Sequence, residues 1–157
     1  MEFPIFVFPK TQWNMWQRIQ TLYLAIATAL IISMFFLPKA VVPGADGTPA
    51  ETFKFITYIP YLLLLIVIAL LDVLALTCWK QRVFQMRTAI LAALVTLALQ
   101  VWLVVDYVSN AGSMVFRIAA VFPAVALIFN LMAARRIHAD QLLVESFSRL
   151  RSDKRRR

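Results

Sequence analysis

The sequence is poor in the residues that build most enzyme and metal sites. It contains one cysteine, one histidine and three glycines in 157 residues. A lone cysteine cannot form an internal disulfide, and a lone histidine cannot supply a metal site or a catalytic pair that needs two. Three scattered glycines cannot form a glycine-rich phosphate-binding loop. We therefore expect no enzymatic activity, no bound metal and no cofactor.

Charged residues are also scarce, at 15% of the chain, whereas 62% of the residues are apolar. A soluble domain contains roughly 45–50% apolar residues. The excess lies in long uninterrupted runs, which excludes a soluble globular protein and indicates an integral membrane protein. The runs do not alternate between apolar and polar residues as barrel strands do, so the membrane spans are predicted to be helices.

Four apolar runs are predicted to cross the membrane, and each is close to the ~20 residues that a helix needs for this. They cover residues 19–38, 55–79, 88–105 and 114–134. The connections between them are short, and none is long enough for a soluble catalytic domain. The prediction is an all-α membrane protein, a four-transmembrane-helix antiparallel bundle within residues 15–134.

Small residues recur every four positions on the first, third and fourth predicted spans. The first span has Ala25, Ala29 and Ser33, the third has Ala89 with Ala93 and Ala92 with Thr96, and the fourth has Ala120 with Ala124. Small residues at this spacing let helices approach closely, so these faces are predicted to pack against other helices.

The positive charges lie mainly on one side of the predicted spans. Thirteen of the sixteen Lys and Arg residues precede the first span, separate the second from the third or follow the fourth. The other three are Lys39, Lys54 and Arg117. Because basic residues favour the cytoplasmic side, both termini are predicted to be cytoplasmic in a multi-pass protein.

The two ends of the chain differ from the spans. Residues 1–14 show no helical period, and we interpret them as an extension from an upstream start codon, with Met15 as the true first residue.

Residues 135–157 contain eight basic and three acidic residues. Apolar residues there are spaced as on an amphipathic helix, which is predicted to lie on the cytoplasmic membrane surface against anionic lipid headgroups. Its candidate lipid or partner contacts are Arg135, Arg136, Leu143, Phe147, Arg149, Leu150 and Arg151. An acidic protein is an alternative partner for the basic tail, and nucleic acid is disfavoured.

Asp72 is the one acid within a predicted span. An ionised carboxylate is expensive in lipid unless it is paired. Asp72 either binds and releases a proton or cation during transport, or it forms a hydrogen bond to a neighbouring helix. Thr96 and Asn130 are expected at a similar depth, and Gln100 is expected to form an interhelical hydrogen bond. We favour the structural role, because a transporter usually has more than one ionisable group in the membrane.

Polar and aromatic residues near the span ends are predicted to lie at the membrane interface. Asp106 and Arg117 bracket the second external turn and are expected to form an ion pair. Tyr61 is one of several aromatic residues that are predicted to anchor span ends in the interface.

Three polar strings at the span boundaries resemble those of a known family. They are Met15-Trp16-Gln17-Arg18-Ile19-Gln20-Thr21-Leu22-Tyr23-Leu24, Trp79-Lys80-Gln81-Arg82-Val83-Phe84-Gln85-Met86-Arg87, and the tail from Arg136 to Arg151. In order and spacing they are similar to an uncharacterised family of small four-helix inner-membrane proteins of Bacteroidota. The resemblance runs from Met15 to about Arg151. It implies a fold and a location in the bacterial inner membrane, and it carries no activity, catalytic residues or cofactor. Glu145 and Ser148 depart from the basic and acidic residues that the family pattern has there.

These features favour a non-catalytic accessory or scaffold subunit of a membrane complex, in contact with other membrane subunits or with copies of itself. The alternative is a small oligomeric transporter or channel that uses Asp72.

Overall fold

The computed structural model describes the backbone of residues 10–44, 48–78 and 81–156, and side chains between residues 19 and 146 except at 45–47, 79–80 and 82. The described residues form four α-helices: α1 (Lys10–Ser33), α2 (Ile59–Thr77), α3 (Arg82–Ser109) and α4 (Phe122–Arg156). The helices α1 and α3 each pack against both α2 and α4. This arrangement places α2 and α4 diagonally opposite each other.

A small antiparallel sheet joins the helices at one end, which we call the sheet end. Strands β1 (Pro38–Pro43) and β2 (Pro49–Lys54) lie between α1 and α2, and β3 (Val115–Phe116) lies between α3 and α4. The strand order is β2-β1-β3. The all-α prediction missed this sheet, because Pro43, Gly44, Gly47 and Pro49 make the connection before α2 typical of turns. Strand pairing satisfies backbone N–H and C=O groups that an irregular loop would have to expose to water.

Two prolines mark where helices begin. In α2, Pro60 lies in the first turn, and Pro123 is the second residue of α4. Proline has no N–H to donate, and the first turn of a helix needs none, so proline is favoured there. As a result α2 and α4 begin later than the predicted spans 55–79 and 114–134. Residues 55–57 and 118–121 form short 3₁₀ turns before them.

At its start, α3 extends beyond the predicted span 88–105. It has 28 residues, and the connection from α2 is reduced to residues 78–81. The segment between the second and third predicted spans is therefore helical from Arg82 onward. Charged residues end an apolar run without ending a helix, because Arg, Gln and Met are good helix formers.

The helix α4 continues without a break from the apolar segment into the basic tail. Its 35 residues extend for about 52 Å, against ~30 Å for a hydrocarbon core. Its buried face runs from Ala126 through Asn130 and Ile137 to Asp140. The tail is helical as predicted, and it continues α4 without a break.

Three described helical segments are long and apolar enough to cross a membrane, by length and composition. They are Ile59–Thr77, Val83–Ser109 and Ile118–Ser146. The described apolar part of α1, Ile19–Ser33, is shorter. Residues 10–14, for which the sequence shows no helical period, belong to the start of α1, and residues 1–9 lie outside the described part of the chain.

Alanines fill the region where all four helices meet. Leu24 of α1 packs there with alanines from the other three helices, namely Ala75, Ala89, Ala133 and Ala134. The prediction of a packed small-residue face is confirmed for α3, whose Ala89, Ala92, Ala93 and Thr96 are buried. On α1 the face with Ala25 and Ala29 is exposed, so it does not pack within the described bundle. A four-residue repeat of small residues identifies a helix face without large side chains, but it does not determine whether that face points into the bundle.

Candidate functional site

The polar group at the centre of the packed helices consists of Asp72 and Asn130. The side-chain amide of Asn130 donates a hydrogen bond to Oδ1 of Asp72 at 3.0 Å. Both side chains are fully buried. Because Asp72 lies on α2 and Asn130 on α4, this bond joins the two diagonally opposite helices through the interior.

The other two predicted polar residues are not joined to this pair by any hydrogen bond among the described residues. The hydroxyl of Thr96 is buried and donates to the carbonyl oxygen of Ala92 at 2.7 Å, one turn earlier on α3. Gln100 has a buried Oε1 without a hydrogen-bond partner in the described part of the chain. Oε1 of Gln100 therefore does not form the interhelical hydrogen bond that the sequence predicts.

A second polar group, the Asp106 network, ties the sheet to the helices. Lys39 of β1 forms an ion pair with Oδ2 of Asp106. The hydroxyl of Tyr61 donates to the same oxygen at 3.0 Å, and the side-chain amide of Asn110 donates to Oδ1 at 2.9 Å. The carboxylate thus receives three side-chain donors, from β1, from α2 and from Asn110, the residue that follows α3.

Aromatic rings surround the lysine of this network. The ammonium nitrogen of Lys39 lies 4.9 Å from the ring centroid of Tyr61 and 5.8 Å from that of Phe116. Cations are attracted to ring faces within about 6 Å. The side chain of Tyr61 is only 2% exposed, so the prediction that it anchors a span end in the interface is wrong.

The predicted ion pair between Asp106 and Arg117 is also wrong. Asp106 pairs with Lys39, whereas Arg117 is exposed. The backbone N–H of Arg117 donates to the carbonyl oxygen of Lys39 at 2.9 Å. Pairing of β1 with β3 therefore brings the two basic residues together along the backbone, and Lys39 is the one that reaches the carboxylate.

A shallow cleft lies between α3 and the chain that enters α4. It has a volume of about 300 Å³ and mostly apolar walls, with Gln100, Tyr107 and Arg117 among its lining residues. Its position next to β3 places it at the sheet end. Among the described residues there is no group of three or more His, Cys, Asp or Glu side chains that could hold a metal ion.

The candidate contact residues of the tail lie along the last part of α4. Arg135, Arg136 and Leu143 are exposed. The backbone at Phe147, Arg149, Leu150 and Arg151 is helical, and the side chains of these four predicted contacts lie outside the described residues. Leu142 and Val144 are exposed next to Leu143, so this region of the helix carries apolar side chains that no other described segment covers.

Sequence reasoning missed Lys39 and Tyr61 as members of a polar network, and it missed Gln20. The side-chain nitrogen of Gln20 is buried without a hydrogen-bond partner among the described residues. One feature of the sequence distinguishes Lys39. It is one of only three basic residues on the side of the predicted spans opposite the two termini. No local pattern connects Lys39 with Asp106, which lies 67 residues later.

Comparison with known proteins gives one family. The family described as "Domain of unknown function (DUF4293)" matches residues 16–150. No curated protein matches the chain, and no solved structure does. The match covers most of the chain and confirms the prediction of an uncharacterised family.

Proposed function

We propose that this chain, which belongs to the DUF4293 family of unknown function, is a non-catalytic accessory or scaffold subunit of a bacterial inner-membrane complex. In this proposal α1, α2, α3 and α4 form a four-transmembrane-helix antiparallel bundle with both termini cytoplasmic. The partner is another membrane subunit, and it packs against the outer face of α1.

The outward small-residue face of α1 carries this proposal. Ala25 and Ala29 are exposed between the larger exposed side chains Leu22 and Ile32. The four residues follow a 3–4–3 spacing and therefore lie on one side of the helix. They form a notch into which a second helix can pack closely, as small residues allow in membranes.

The length of α1 is compatible with a fourth membrane span. The 24 residues of α1 extend for about 36 Å, which is enough to cross a ~30 Å hydrocarbon core.

The end of α4 offers a second contact. Exposed Leu142, Leu143 and Val144 lie in a tail whose residues 135–157 carry a net positive charge. Because α4 is continuous, these side chains belong to the same helix as the apolar segment and are available to a partner of that helix. An acidic segment of the partner that also presents apolar side chains complements this surface.

We test the proposal with the tagged protein at natural expression level, purified in a mild detergent, with mass spectrometry of the proteins that accompany it. A stoichiometric membrane partner is expected. The double variant Ala25→Leu and Ala29→Leu fills the notch and should reduce recovery of the partner at least tenfold. Ala98→Leu is the matched control, since Ala98 is exposed on α3. A wild-type protein that purifies alone as a monomer contradicts the proposal.

The orientation can be tested with Cys78, the single cysteine of the chain. It follows α2 at the end opposite the sheet. We expect a membrane-impermeant maleimide to label Cys78 in inverted vesicles and not in intact spheroplasts. A Thr48→Cys variant in a Cys78→Ser background is the control, because Thr48 lies exposed at the sheet end. It should show the reverse pattern, and labelling of Cys78 from outside would invert the proposed topology.

One observation favours transport as a second candidate function. Oδ2 of Asp72 is buried and has no hydrogen-bond partner among the described residues, so it is a place where a transported proton could bind. In that case Asp72→Asn should abolish flux through reconstituted protein. Unchanged flux and growth in this variant would eliminate transport through Asp72 and leave the accessory function unaffected.

A further inference from the structure

The pair formed by Asp72 and Asn130 leaves two atoms without hydrogen-bond partners among the described residues. They are Oδ2 of Asp72 and Oδ1 of Asn130, and both are buried. The other two polar atoms of the pair already share the hydrogen bond of 3.0 Å. The unpaired atoms are therefore the second oxygen of the carboxyl group and the oxygen of the carboxamide group that faces it.

Both unpaired atoms are acceptors when Asp72 is ionised. A carboxylate has only acceptor oxygens, and the oxygen of an amide also only accepts. Two buried acceptors without a donor are costly, and the cost rises when one of them is charged. A proton on Oδ2 changes this oxygen into a donor whose natural acceptor is Oδ1 of Asn130.

The surrounding helices offer no opposite charge at this depth. Between residues 19 and 33 of α1, 88 and 105 of α3, and 122 and 134 of α4, the sequence contains no Lys, Arg, His, Asp or Glu. These segments belong to α1, α3 and α4, the other three helices of the bundle. The ion pair of Lys39 with Asp106 lies away from this pair, at the sheet end.

We propose that Asp72 is a proton-binding site, in which a neutral carboxylic acid and the carboxamide of Asn130 form a ring of two hydrogen bonds. The amide of Asn130 donates to Oδ1 of Asp72, and the acid O–H of Asp72 donates to Oδ1 of Asn130. The bound proton then fastens α2 to α4 across the centre of the helices. This inference is independent of the proposed partner and concerns the interior of a single chain.

Infrared spectroscopy of the full-length protein in lipid at neutral pH tests the protonation state. The carbonyl band of a protonated carboxylic acid is expected in the wild type and should be lost in Asp72→Asn. It should persist in Asp106→Asn, the matched control, since Asp106 is paired with Lys39. In Asn130→Leu the band should shift, because the acid O–H loses its acceptor. If the wild type has no such band, or if Asp72→Asn retains it, the proposal is overturned.

Thermal unfolding gives a second, independent test. An asparagine at position 72 can form the same ring of two hydrogen bonds with Asn130, so Asp72→Asn should unfold close to the wild-type temperature. Asp72→Ala removes the ring and should unfold at a clearly lower temperature. Equal destabilisation by Asn and Ala would mean that the ionised carboxylate, and not the neutral acid, is the stabilising form.

Discussion

Replacing Tyr61 by alanine is expected to lower the free energy of unfolding by about 4 kcal/mol. Tyr61 is among the largest fully buried side chains of the described residues. Its ring packs edge-on against Phe55 at a centroid distance of 6.3 Å and against Trp102 at 6.0 Å. The substitution opens a cavity between α2, α3 and the sheet end, and it removes a donor of Asp106 at the same time.

Two further variants separate packing from hydrogen bonding. Tyr61→Phe keeps the ring and removes only the hydroxyl, so it should cost about 1 kcal/mol. Phe36→Ala is the control for an aromatic side chain that is mostly exposed, at 78%, and should cost less than about 0.5 kcal/mol. The measurement is equilibrium unfolding in mixed micelles. Equal losses for Tyr61→Phe and Tyr61→Ala would show that cavity formation is not the main cost.

Replacing Asp106 by alanine is expected to lower the free energy of unfolding by about 3 kcal/mol. The change leaves the Lys39 ammonium, the Tyr61 hydroxyl and the Asn110 amide without their common acceptor. The side chains of Lys39 and Asp106 are 12% and 22% exposed, so water can replace only part of what is lost. The expected loss in the free energy of unfolding is therefore at the lower end of the range for a buried ion pair that loses one of its two residues.

Arg117→Ala is the matched control for this prediction. Arg117 is exposed and forms no ion pair with Asp106 in the structure. The same unfolding measurement should show a change below about 0.5 kcal/mol. If Arg117→Ala and Asp106→Ala were equally destabilising, the ion pair expected from the sequence would be the correct one.

Composition and apolar runs alone predicted much of the helical structure. Whether a segment prefers lipid is nearly a sum over its own residues, so uncharged runs locate apolar helices without knowledge of their neighbours. The tail illustrates the same point. Its apolar spacing predicted a helix, and α4 is helical through Arg156. That helix continues from the apolar segment without a break, because no proline or glycine lies between Ala134 and Arg136.

Contacts across the molecule were decided by the tertiary structure. The Lys39–Asp106 bond joins residues 67 positions apart, and the Asn130–Asp72 bond joins residues 58 apart. Each depends on how far a helix is rotated and which strands pair. Asp106 illustrates this dependence, since Arg117 is closer in sequence but the carboxylate pairs with the lysine that β1 brings to it.

The sequence by itself determined which segments are apolar, that most of each is helical, and that Asp72 needs a polar partner in the interior. Only the tertiary structure decided that Asn130 is this partner, that α1 turns Ala25 and Ala29 outward, and that a sheet forms beside the helices. The physical reason is that transfer into lipid is a local property of each residue. Hydrogen bonds and close packing instead require two distant segments to meet in one geometry.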